Sequence, residues 1–148
     1  MGVAKKPQIA RILLIEDDIK RYEVLTSWLP TGIRLVWAKD AGAAMGIIRR
    51  TKVEDYVGMM LDFNLVRQPY VTGGPPERFD GGHVVDLLQN RRDLAREVPV
   101  LVHSNNLRNG PVIAKRLEGS GYMMTRIAMR DLTKERFIDW IEGLDLPA

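Results

Sequence analysis

The chain has no cysteine, no long apolar run and no strong charge of either sign, and each absence removes a class of function. Without cysteine there is no disulfide framework, no thiolate metal site and no thiol nucleophile, a usage that suits the cytoplasm. No stretch approaches the roughly 18 apolar residues a spanning helix needs, so no membrane association is expected. The opening Met1-Gly2-Val3-Ala4-Lys5-Lys6 lacks the apolar core of a signal peptide, and Lys6 stands where a myristoylation signal wants Ser or Thr. The net charge of +3 is mild. Basic groups such as Arg49-Arg50, Arg91-Arg92 and Lys115-Arg116 are interleaved with acids and read as solvated helix ends complementing their dipoles. No aromatic–basic motif accompanies them, so nucleic acid is not expected as a partner.

What is present is an ordinary globular composition, 45% hydrophobic and 28% charged over 148 residues. That length suits one domain, able to bury roughly 70% of its unfolded surface. Two apolar runs stand out because both end in acid. Val57 to Leu61 runs into Asp62, and Ile12-Leu13-Leu14-Ile15 runs into Glu16-Asp17-Asp18. Such runs read as strands buried on both faces, and in open α/β sheets ligands bind where the strands emerge at their carboxyl ends.

In order, residues 1–8 read as a polar lead-in and 9–148 as a single domain. Strands are expected at 9–15, 33–38, 56–61, 98–102 and 122–127. Helices are expected at 19–29, 41–50, 83–90, from about Pro111 to Glu118, and at 133–144, with Pro, Gly and Asp punctuation between them. The segment 64–82 breaks the alternation with Pro69, Pro75, Pro76 and four glycines. A loop of that length is read as a lid or rim over the pocket that begins at Asp62. Strand–helix alternation predicts a doubly wound α/β fold, a five-stranded parallel sheet with five helices, and a flavodoxin-like order, 2-1-3-4-5, would set the ends of the first, third and fourth strands side by side.

That order brings Glu16, Asp17 and Asp18, then Asp62, then His103 and Ser104 around one cleft. Carboxylates held together repel, so one takes a proton or a cation neutralises them. Hard oxygen ligands without cysteine favour magnesium, or a similar ion such as manganese. Magnesium beside an aspartate, with a hydroxyl opposite, can hold and polarise a phosphoryl group, and aspartate can itself be phosphorylated. Taken alone, the acids at 16–18 also fit a helix N-cap cluster.

Ile12-Leu13-Leu14-Ile15-Glu16-Asp17-Asp18, Leu61-Asp62-Phe63-Asn64-Leu65 and Ser104 after a fourth strand together resemble the receiver domain of two-component response regulators, the CheY-like fold. The resemblance spans about Ala10 to Leu144. It implies that Asp62 is the phosphoacceptor, that Glu16, Asp17, Asp62 and the carbonyl of Asn64 form the magnesium site, and that Ser104 contacts the phosphoryl group. It also implies that Tyr122 is the aromatic switch. Thr125 stands where the family has an invariant lysine, and Arg126 is the candidate replacement. The loop before Asp80-Gly81-Gly82 is longer than is usual.

These departures resemble a divergent receiver branch thought to process cyclic phosphates. The matching residues are Glu16-Asp17-Asp18 with Arg21, Asp62-Phe63-Asn64-Leu65, His103-Ser104-Asn105-Asn106, and Gly121-Tyr122 with Arg126. The resemblance implies phosphate contacts from Ser104, Asn106 and Arg126. His103 is chemically suited to act as general acid or base. Three functions therefore stand side by side. The first is a stand-alone receiver phosphorylated at Asp62 by a histidine kinase or phosphotransfer protein and read by a separate output protein. The second is a metal-dependent enzyme acting on a cyclic phosphate through His103 and Asp62. The third is a non-catalytic interaction module.

Overall fold

The computed structural model describes residues 9–62, 81–106 and 108–146. The element order is β1 (Ala10–Ile15), α1 (Ile19–Ser27), β2 (Ile33–Ala38), α2 (Ala41–Arg50), β3 (Gly58–Leu61), α3 (Gly81–Gln89), α4 (Arg92–Glu97), β4 (Val100–Val102), α5 (Asn109–Gly119), β5 (Met124–Arg126) and α6 (Lys134–Glu142). Single 3-10 turns lie at Val53–Asp55 and Met129–Asp131. The expected lead-in at 1–8 and most of the expected lid, 64–80, lie outside the described residues.

All four strand pairings are parallel, as the alternation predicts, and the order is the expected flavodoxin-like one, β2-β1-β3-β4-β5. The central strands are apolar on both faces because both faces are covered. Leu13, Ile15, Met59, Leu61, Val100 and Val102 meet α2, α3, α4 and α5 on one side. Ile12, Leu14, Met60 and Leu101 meet α1 and α6 on the other, around Leu25, Phe137 and Ile141. Each such side chain contributes about 1.5–3 kcal/mol relative to exposure. Gly58 opens β3 because Trp140 of α6 and Leu144 just beyond it lie on it: an added Cβ would come within 3.0 Å of the Trp140 ring.

Helix starts follow the cap residues. Asp18 accepts the amides of Lys20 and Arg21, Asp40 that of Ala43, and Thr133 that of Arg136. Gly121, at φ 99, makes the left-handed turn out of α5.

The sequence predicts five helices, whereas six are present among the described residues. The extra one is α4, and its anchor is Arg91 just before it. The Arg91 guanidinium donates to Ile48 O and Thr51 O at the end of α2, and grips both carboxylate oxygens of Asp93. That grip lowers the Asp93 carboxyl to about 2, with the Arg91 hydrogen bond as the main cause.

Candidate functional site

Register builds the site. Ile15, Leu61 and Val102 are paired side by side across β1, β3 and β4. Each is followed by a polar residue: Glu16, Asp62 and His103. The ladder continues one step through them, with Asp62 N donating to Ile15 O (2.9 Å) and His103 N to Leu61 O (3.1 Å). Because side chains alternate along a strand, all three turn to the face covered by α1 and α6. They form one row, and it is dry: Glu16 is 0% exposed, Asp62 1% and His103 0%.

Within the row, His103 Nε2 lies 3.1 Å from Glu16 Oε1, a contact that needs a proton between them. Nδ1 of the same ring is buried and has no hydrogen-bond partner among the described residues. Glu16 is further fixed by Asp18 N, which donates to Oε2 at 3.2 Å. Its backbone carbonyl accepts the Trp37 indole N–H at 2.6 Å, and Trp37 stacks on Tyr22 with ring centroids 4.2 Å apart.

The carboxylates of Glu16, Asp17 and Asp62 each offer an oxygen within 4.8 Å of the others. Three hard oxygen donors so close suit a hard divalent cation, so the donor set fits magnesium. A cationic side chain faces this group. Arg21, on the first turn of α1, places Nη1 3.3 Å from Asp62 Oδ2 and 3.5 Å from Glu16 Oε1, with Nε 3.9 Å from Asp18 Oδ2. In the sequence, Arg21 stands out only as part of a motif after Glu16-Asp17-Asp18. The available signal was its position three residues after the cap Asp18, which puts it on the turn that overlooks the strand ends.

The remaining expected residues divide. Ser104 is buried, and its hydroxyl accepts Asn106 N at 3.1 Å, leaving the O–H proton to donate elsewhere. Asn106 Oδ1 accepts the amides of Arg108 and Asn109, so this side chain starts α5. Asn64 lies outside the described residues.

Arg126 pairs with Val102, one residue short of the row and on the opposite face. Its guanidinium lies over the start of α5, where a Cβ on Gly110 would come 3.1 Å from Arg126 Nε. It forms no ion pair with Glu16, Asp17 or Asp62 among the described residues. The strand position level with His103 is Ile127, whose amide continues the ladder to Val102 O. Thr125 pairs with Leu101, a layer deeper.

Tyr122 precedes β5, at the amino end of the sheet. Its hydroxyl donates to Leu88 O at 2.7 Å, with Arg91 O at 3.2 Å, and burial pushes its ionisation upward. The structure therefore places the expected switch residue at the opposite end of the sheet from the acids.

Neither a family model nor a curated protein sequence matches the chain. Solved structures do. A CheY-like response regulator receiver domain protein from Methanospirillum hungatei is 15% identical, with a TM-score of 0.64 over 91% of this chain and 92% of that one. A two-component response regulator from Clostridium difficile is 19% identical, with a TM-score of 0.61 over 90% and 93%. The receiver domain of a sensor histidine kinase from Pseudomonas aeruginosa, solved with magnesium in its active-site cleft, is 17% identical, with a TM-score of 0.64 over 90% and 95%. By strand order, helix placement and these neighbours, the chain has the CheY-like fold of response regulator receiver domains.

Proposed function

We propose that this chain is a signalling receiver that accepts a phosphoryl group on Asp62 beside a magnesium ion. The observation that carries the reading is the carboxylate group of Glu16, Asp17 and Asp62 at the carboxyl ends of adjacent strands. Asp17 and Asp62 would hold the ion directly, joined by the Asn64 carbonyl. Glu16, wholly buried and bound to His103 and Asp18 N, would act from behind them. When bound, the ion neutralises charge on the incoming phosphoryl oxygens. Asp62 supplies the attacking oxygen, and the Ser104 hydroxyl has a proton to offer the transferred group. A histidine kinase or phosphotransfer protein is the matching donor and a separate output protein the reader, in the cytoplasm. No helix among the described residues is long and apolar enough to cross a membrane.

The test is incubation with a small acyl phosphate and magnesium, followed by intact mass. Wild type is expected to gain one phosphoryl group and Asp62→Asn none. A folded wild type that binds magnesium and gains no mass would sink the reading, and failure to bind magnesium at millimolar concentration would favour an interaction module.

A second reading is supported by the buried Glu16–His103 pair, since a carboxylate holding an imidazole is a general acid–base arrangement. In it, a cyclic phosphate is opened by water, with His103 and Asp62 moving the protons to and from the oxygens at phosphorus. Turnover of a cyclic phosphodiester that disappears in both His103→Ala and Asp62→Asn would establish it. Turnover surviving either change would remove it.

A further inference from the structure

Among the described residues, a positive charge faces Asp62 from α1. Arg21 is 28% exposed, and its backbone is held by the Asp18 cap. From there Nη1 reaches Asp62 Oδ2 and Glu16 Oε1 together. On the other side of the row β5 offers nothing equivalent: Ile127 stands level with His103, Thr125 is uncharged and Arg126 lies over Gly110.

We propose that Arg21 is the group that contacts the phosphoryl oxygens at Asp62, the task for which a fifth-strand cation was expected. The inference rests on the phosphoacceptor reading. With an acyl phosphate as donor, an Asp62 oxygen bonds to phosphorus as the bond from phosphorus to the acyl oxygen breaks. The acyl carboxylate leaves with that electron pair. The charge on the Asp62 carboxylate is thereby replaced by a phosphoryl dianion displaced outward from Oδ. A guanidinium already beside that carboxylate meets the non-bridging oxygens with a small rotation of its long stem. Its planar fork presents two parallel N–H groups to them, which an ammonium does not.

The experiment compares rates of phosphoryl gain from a small acyl phosphate with saturating magnesium, by intact mass, in wild type, Arg21→Gln, Arg21→Lys, Lys20→Gln and Arg126→Ala. Lys20 is exposed and one residue away, so Lys20→Gln removes the same charge from α1 without the contact. Arg21→Gln is expected to label about 10²-fold more slowly than wild type, the scale of losing one preorganised oxyanion donor. Lys20→Gln is expected to label at the wild-type rate. If Arg21→Gln fails to fold, Arg21→Lys carries the test, with an expected loss of about tenfold.

Wild-type rates in the folded Arg21 variants overturn the proposal and leave the phosphoacceptor reading standing. So does equal slowing in Lys20→Gln, or slowing in Arg126→Ala alone. No gain of mass in wild type removes both.

Discussion

At the phenol of Tyr122, burial and hydrogen bonding act in the same direction. Burial disfavours the phenolate, and the hydroxyl must keep its proton to donate to Leu88 O. The folded-state ionisation is therefore raised above the ordinary 10.0. The stability this contributes is fully present below pH 10.0 and is lost as pH rises from there through the folded value, because the unfolded chain ionises first. Tyr122→Phe is expected to cost about 1–2 kcal/mol at neutral pH. In urea melts the gap to wild type should shrink between about pH 10 and pH 11; a gap that stays constant would mean the phenol does not titrate with unfolding. At this scale the sequence showed the acids well, since an apolar run that stops at a carboxylate marks a strand end. It showed the cations poorly. Whether Arg126 faces the pocket depends on strand parity, and a one-residue difference in where β5 sits reverses it. Arg21 was hidden for the opposite reason, because a helix-borne arginine looks like any solvated one until α1 is seen to overlie the strand ends.

Among the described elements, all five strands and five of the six helices could be read, with boundaries off by no more than two residues. Among the strands, β5 was the main excess. Tyr122 and Met123 read as strand, yet the paired segment is only Met124–Arg126, because Gly121 is still turning the chain and only β4 is alongside. α4 was missed because six residues, Arg92–Glu97, are too few to show a period, and their charges look like a helix end. What organises them is tertiary: Arg91 spans the gap to α2 and satisfies two carbonyls at its C-terminal end. Arg91→Met keeps the stem and removes the donors. It is expected to destabilise by about 2 kcal/mol in chemical denaturation. Asp93→Asn, at a half-exposed carboxylate, is expected to cost less than about 1 kcal/mol. An equal loss in both would mean that the exposed fork, rather than the carbonyl contacts, carries the effect.

For the molecule as a whole, a site assembled from β1, β3, β4 and α1 couples ligand binding to global stability. Magnesium that binds only the folded chain stabilises it by about 2.7 kcal/mol at a hundredfold excess over Kd. The thermal midpoint is expected to rise with magnesium in wild type and to stay flat in Asp17→Asn, as followed by Trp37 fluorescence, whose indole is bonded to Glu16. The row of Glu16, Asp62 and His103 has one more consequence, for how the sheet avoids trapped misfolds. The central strands read Gly58-Met59-Met60-Leu61 and Val100-Leu101-Val102, apolar on both faces. A strand that is greasy on both sides can slide by one residue without exposing anything, so hydrophobicity alone leaves its alignment degenerate. A slip of β3 would carry Asp62 to the far face, away from Arg21 and the other two polar groups, stranding a buried charge at a cost of several kcal/mol. The residues proposed to handle phosphate thus also act as the alignment pins of the fold, and replacing all three with apolar residues should yield a chain that still collapses but no longer settles on one pairing.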